Sequence, residues 1–152
     1  MWLMNQIFNP LVRIILKSPL HGMLSGSLTL LIYQGKKSGN RYELPVQYVQ
    51  ENNRIYIIPG DPEGKSWWRN FRDGGMEVKL VLNGKTQAGL AAVVDPDKDL
   101  AEAQKALEIY FHRFPGATRM HHVPVEADGS FKFDDLVRAA ESTILVRISL
   151  EN

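Results

Sequence analysis

The chain contains no cysteine. Disulfides, thiolate metal sites and a cysteine nucleophile are excluded together, and the composition fits a reducing cytoplasm. Net charge is equally scarce, with eighteen Lys and Arg against seventeen Asp and Glu, a balance of +1. No overall field draws the protein to nucleic acid, so any anion must be recognised by a local cluster. Tyr42, Tyr48 and Tyr56 would offer stacking faces, but no basic stripe accompanies them, and no nucleic-acid partner is expected. Long apolar runs are also missing. The stretch from Leu11 to Tyr33 is broken by Arg13, Lys17, Pro19 and His21, whereas a membrane span needs about 20 mostly apolar residues. No basic segment precedes the first apolar residues and no small-residue cleavage pattern follows them, so no secretory leader is expected. These absences lead to the expectation of a soluble, cytoplasmic protein.

Catalytic signatures are absent as well. There is no G-x-G-x-x-G for a dinucleotide. "GMLSG" misses the nucleophile-elbow pattern because Ser25 is followed at once by Gly26. His121 and His122 are neighbours, and His112 lies nine residues before His121, which is not the i, i+4 spacing of a helical metal pair. No metal and no protein-borne catalytic residue is expected.

What is present fits one domain of 152 residues, long enough to bury roughly two thirds of its unfolded surface. Residues 1–26 form an N-terminal helical segment in this reading. Asn9-Pro10 caps "LVRIILK", which ends near Ser18-Pro19. Its broad apolar face would pack on the core or on a second copy in a homodimer. Otherwise it would lie on a membrane surface with Arg13 and Lys17 at the headgroups. Residues 27–94 carry the strands: "SLTLLIY", "RYELPVQYV" and "RIYIIP", then "MEVKLVL" and "TQAGLAAVV" joined at Asn83-Gly84. That dipeptide is a strong hairpin signal. Pro45 places its strand at an edge or a bulge. Residues 95–141 read as helices, the first from Asp95 to Phe114 with an apolar stripe of Ala103, Ala106, Leu107, Tyr110 and Phe111. "FDDLVRAAE" gives a second helix, and 143–150 a closing strand. Short connections and hairpin turns favour an antiparallel α+β fold, its sheet closed or nearly closed and flanked by helices.

Two loops carry the functional signal. "GDPEGKSWWRN", Gly60 to Asn70, approaches a phosphate loop but has three residues between its glycines where a Walker A loop has four. "GKKSG", Gly35 to Gly39, leads into a strand and not a helix. Neither suits nucleotide triphosphate hydrolysis. Together they offer Lys36, Lys37, Ser38, the Gly39 amide and Arg41 on one side, and Lys65, Ser66, Trp67, Trp68 and Asn70 on the other. Such a set would hold a flat heterocycle with an anionic tail. A solvated basic turn beside two core tryptophans would give the same composition.

"YQGKKSGNRYELPVQYV", then the Gly60 loop, "WWRNF" and a strand pair joined at "NGK", resembles the deazaflavin (F420)-dependent nitroreductase family. The match runs from about Leu28 to Val94, and "ILVRISL" suits the family's C-terminal end. The resemblance implies a split β-barrel of the FMN-binding-like kind. It implies a cofactor, F420, gripped through its phosphate and oligoglutamate tail by Lys36, Lys37, Ser38 and Gly39. Trp67 and Asn70 would lie beside the cofactor, with Lys65 and Ser66 as tail contacts. Tyr42 stands where some members carry a basic residue, with Arg41 one step earlier. The implied activity is hydride transfer from F420H2 to a small-molecule electron acceptor such as a quinone, an enone or a nitroaromatic. A tyrosine, a histidine near His121, or water would protonate the product. The tyrosines of the family's nitroimidazole pocket have no match in "YFHRFPGATRMHH". FMN remains an alternative cofactor, and a non-catalytic flavin- or deazaflavin-binding protein an alternative role.

Overall fold

The computed structural model describes residues 27–60 and 62–151, so the helical segment expected over 1–26, with its dimer or membrane contact, lies outside the described residues. Seven strands follow in the order β1 (Leu28–Gln34), β2 (Arg41–Gln47), β3 (Val49–Glu51), β4 (Arg54–Ile57), β5 (Met76–Leu82), β6 (Lys85–Val93) and β7 (Val146–Leu150). A 3₁₀ turn occupies Trp67–Phe71, and the helices are α1 (Leu100–Arg113), α2 (Ala117–Met120) and α3 (Phe133–Ser142). All ladders are antiparallel and the sheet runs β2-β1-β5-β6-β7-β4-β3.

The two ends of that order are consecutive in sequence. β2 and β3 are separated by Tyr48 alone, yet they form opposite edges of the sheet. A single chain segment can serve both edges only if the sheet curls until they meet. The result is the expected split barrel. Tyr48 donates its amide to the Ser27 carbonyl, one step beyond the Leu28–Gln47 pair of the β1–β2 ladder. Pro45 sits on the edge strand β2, opposite Leu30, where a missing amide donor is tolerated.

Alternation divides the side chains between two layers. Ile55 and Ile57 of β4 join Leu31, Val78, Leu80, Val146 and Ile148 inside the barrel. Tyr56, between them, faces the helices, where it packs with Val49, Ala106, Leu107, Phe111, Leu136 and Leu145. The apolar stripe expected on α1 is buried in full. Each large apolar side chain buried in these layers contributes about 1.5–3 kcal/mol. Asn83 and Gly84 both have positive φ (51° and 76°) at the β5–β6 hairpin, the backbone of a type I′ turn. Gly89 lets β7 approach β6 closely, since a Cβ there would come within 2.7 Å of Ile148.

Some boundaries differ from the sequence reading. α1 begins at Leu100, not Asp95. Asp95 instead accepts the Asp97 amide through Oδ1 at 2.9 Å, and its carbonyl takes the Asp99 amide. A local Asx turn therefore competes successfully with helix initiation. Within the region expected to be helical, the sequence reading does not separate out the short helix α2. At its start Thr118 donates to the Pro115 carbonyl at 2.7 Å. Among the described residues no helix is long and apolar enough to cross a membrane.

Polar ties hold the helices to the sheet. The Glu102 carboxylate on α1 accepts hydrogen bonds from Arg54 on β4, from Tyr56 at 3.0 Å and from Arg147 on β7 at 2.5 Å. His121 packs on Phe111 with its Nδ1 3.2 Å from the Thr143 hydroxyl. Burial, with the neighbouring His122 adding to it, holds the His121 imidazole below its ordinary pKa.

Two outcomes follow for stability. Glu102→Gln leaves two guanidiniums short of their counter-charge, and denaturant unfolding should show a loss of about 1–2 kcal/mol, moderated by the exposure of Arg54. A loss below about 0.5 kcal/mol would contradict the anchoring role. The depressed folded-state pKa of His121 means the unfolded chain binds the proton first as pH falls. Stability should therefore be full above about pH 6.5 and decline below it. Thermal unfolding at pH 7.5 and 5.5 should show a smaller drop for His121→Asn than for the unaltered protein.

Candidate functional site

The barrel closure brings the two glycine loops together. The first, residues 35–40, joins β1 to β2. Gly35 donates to the Asn40 carbonyl at 2.8 Å, and Gly39, at φ 71°, donates back to Gly35 at 2.9 Å. Gln34 Nε2 fixes the Gly39 carbonyl from outside, and Ser38 Oγ accepts the Asn40 amide. Gly35 has no room for a side chain, because a Cβ would lie 2.8 Å from the Tyr42 ring. Tyr42 instead stacks on Tyr33, ring centroids 5.4 Å apart, and its hydroxyl lies 3.1 Å from Ser38 Oγ.

The second loop ends in the 3₁₀ turn. Trp68 and Phe71 are its buried anchors, and the Trp68 indole N–H donates to the Pro62 carbonyl at 2.9 Å. Trp67 is only half-buried and meets Phe71 edge-on at 6.2 Å. Of the paired tryptophans, one belongs to the core and the other is available to a ligand.

Asn70 fastens one loop to the other. Its Oδ1 accepts the Lys36 backbone amide at 2.8 Å, and its Nδ2 donates to the Trp67 carbonyl at 2.8 Å. A weaker tie, Lys36 Nζ to Asp73 at 3.8 Å, runs in parallel. Between the loops lies a cleft of about 460 Å³. Lys36, Lys37, Ser38 and Tyr42 line it from the first loop, and Ser66, Trp67 and Asn70 from the second. Burial, with Tyr42 adding to it, raises the pKa of Tyr33 above its ordinary value, so this phenol stays protonated.

Three residues expected at the site stand elsewhere. Gly39 shapes the first loop without lining the cleft. Lys65 lines a smaller pocket of about 170 Å³ with Leu44, Pro45, Ile57 and Pro59, on which Trp67 also borders. Arg41 forms an ion pair with Glu43 at 2.8 Å and lines a separate cavity with Glu77 and Lys79. The reason is strand alternation, which turns Arg41 and Tyr42 to opposite faces. His121, packed on Phe111 of α1, does not line the cleft. Among the described residues no group of three or more His, Asp or Glu is placed to hold a metal ion.

The sequence reading missed Arg69 and Arg72, which also line the cleft. The available signal was their spacing of three in a 3₁₀ turn, which stacks such residues on one side.

No protein-family model matches the chain, and no curated protein is similar to it in sequence. Its fold is similar to that of several solved structures. One is an F420-H2 dependent reductase, FDR-A, at 18% identity and a TM-score of 0.54, covering 82% of this chain and 94% of the other. A second is described as a 5-nitroimidazole antibiotic resistance protein of Bacteroides thetaiotaomicron VPI-5482, at 13% identity and a TM-score of 0.51, covering 87% and 78%. A third, a domain-swapped dimer, gives 19% identity and a TM-score of 0.58 over 99% and 97%. At these identities the likeness establishes the fold, an α+β split barrel.

Asn70→Ala removes the hydrogen bond between the loops and the one that braces its own 3₁₀ turn, and should lower unfolding stability by about 1–2 kcal/mol. The Lys36 backbone amide resonance should shift with it, whereas an unmoved Lys36 amide would contradict the fastening role.

Proposed function

We propose that the cleft holds a flavin-type cofactor and that the protein is an F420H2-dependent oxidoreductase of the deazaflavin-dependent nitroreductase family. Its acceptor would be an activated small molecule such as a quinone, an enone or a nitroaromatic. The observation that carries this reading is the donor set gathered on one cleft by Asn70: Lys36, Lys37, Ser38 and Ser66 beside the half-buried Trp67. No carboxylate pairs with Lys37 among the described residues. These groups fit a ligand with an anionic end and a flat ring.

When bound, a reduced deazaflavin supplies the hydride, and the protein contributes orientation and electrostatics. Lys36, Lys37 and Ser38 would hold the anionic tail, with Gly39 setting the loop's shape. Trp67 would wall the ring, and the adjoining pocket that it shares with Lys65 offers further apolar surface. Asn70 acts by fixing the spacing of the two loops. Tyr42, hydrogen-bonded to Ser38, and Tyr33, stacked on it, are the tyrosines on the cleft able to pass a proton to product; His121, packed on Phe111, does not line it. A single phosphate on the Lys36–Ser38 turn would also suit FMN, which keeps an FMN-dependent oxidoreductase as the second reading. A cytoplasmic homodimer belongs to the same proposal, supported by the cysteine-free composition and by a fold neighbour that is a domain-swapped dimer.

Lys37→Glu tests the reading. Losing one charge-assisted hydrogen bond and adding repulsion should weaken F420 binding by about 10–100-fold, read by quenching of tryptophan fluorescence. Unchanged affinity would contradict the site. Oxidation of F420H2 by a panel of quinones, enones and nitroaromatics then separates an enzyme from a cofactor-binding protein without catalysis.

A further inference from the structure

We propose that Arg69 and Arg72 form a second anion subsite on the cleft, carried by the 3₁₀ turn and not by the Lys36–Ser38 loop. The site would thereby select a flavin-type cofactor whose tail carries at least two separate anionic groups. This inference rests on the cofactor reading above and names the ligand feature that decides between the candidate cofactors.

The turn geometry places the two arginines side by side, because residues three apart eclipse in a 3₁₀ helix. Both guanidiniums lie over one indole. Their central carbons are 5.3 and 5.9 Å from the Trp68 ring centroid. Trp68 is a fixed platform, 7% exposed and bonded through its N–H to Pro62. Two long side chains are thus partly ordered before any ligand arrives, which reduces the entropy lost on binding.

Like charges three residues apart repel. Neither arginine has an ion pair among the described residues. Asp73 is the single acidic residue lining the cleft among the described residues, and it reaches Lys36. Among the described residues, Lys36, Lys37, Arg69 and Arg72 therefore share the cleft with one Asp, in a chain whose overall balance is only +1. A single phosphate held at the Lys36–Ser38 turn leaves the arginine pair uncompensated. Their forked donors match a further phosphate or carboxylate in bidentate geometry.

Calorimetric titration of the full chain with FMN, F420 and inorganic tripolyphosphate tests this, the last being a probe without a ring. The comparison is with Arg69→Gln/Arg72→Gln. F420 and tripolyphosphate should bind the double variant about tenfold or more weaker, while FMN changes by less than about twofold. Arg69→Lys/Arg72→Lys keeps the charge without the forks and should show an intermediate loss, which decides the matter if the glutamine variant does not fold. Equal losses for FMN and F420, or no loss for either, would overturn the subsite while leaving the cofactor reading intact. Arginine-dependent tripolyphosphate binding without any flavin binding would sink the cofactor reading and support the subsite. Failure of all three probes to bind the unaltered protein would overturn both.

Discussion

One continuous segment closes the barrel. Residues 41–51 begin on one edge of the sheet and finish on the other, turning at Tyr48. Everything that positions the cleft depends on that closure. The curl gives the barrel an interior for Ile55, Ile57, Leu80 and Ile148. It also brings the loop leading into β2 against the turn that follows β4. Residues 34 apart in sequence, Lys36 and Asn70, can then share a hydrogen bond. Edges that meet in this way leave little open ladder for a stray strand to join.

The cleft is a local exception to the charge balance of the chain. Several cations outside the cleft are matched: Arg54 and Arg147 on Glu102, Lys105 on Glu51, Arg138 on Asp135. At the cleft, Lys37, Arg69 and Arg72 have no such match among the described residues, and Lys36 has only a long contact with Asp73. Exposed ion pairs contribute little to stability, so their absence costs the fold little. Leaving cations unmatched around a concave surface with a half-buried indole is a disposition that favours an anionic ring ligand.

Much of the scaffold was legible in the sequence because it rests on short-range rules. Asn83-Gly84 dictated its hairpin through positive φ, Pro45 dictated an edge, and the spacing from Ala103 to Phe111 dictated the buried face of α1. The helix start at Leu100 was not legible, because Asp95 can cap a helix or close an Asx turn and the choice depends on its surroundings. Lys36, Lys37, Ser38, Tyr42, Ser66, Trp67 and Asn70 were singled out from two loops, and folding gathers them on one cleft. What the sequence concealed was direction. Arg41 follows the basic turn in sequence yet turns to Glu43. The side-chain amide of Asn70 joins the loops, a role visible only once both loops are in place. Arg69 and Arg72 were not singled out, because the Trp68 ring beneath both of them is a feature of the folded turn.

Hydrogen–deuterium exchange of the protein with and without F420 tests the central claim most directly. If the cofactor sits between the two loops, amides in residues 35–40 and 64–72 should gain protection together, because Asn70 couples them. Protection confined to the cavity beside Arg41 and Glu77, or no protection at either loop, would contradict the account.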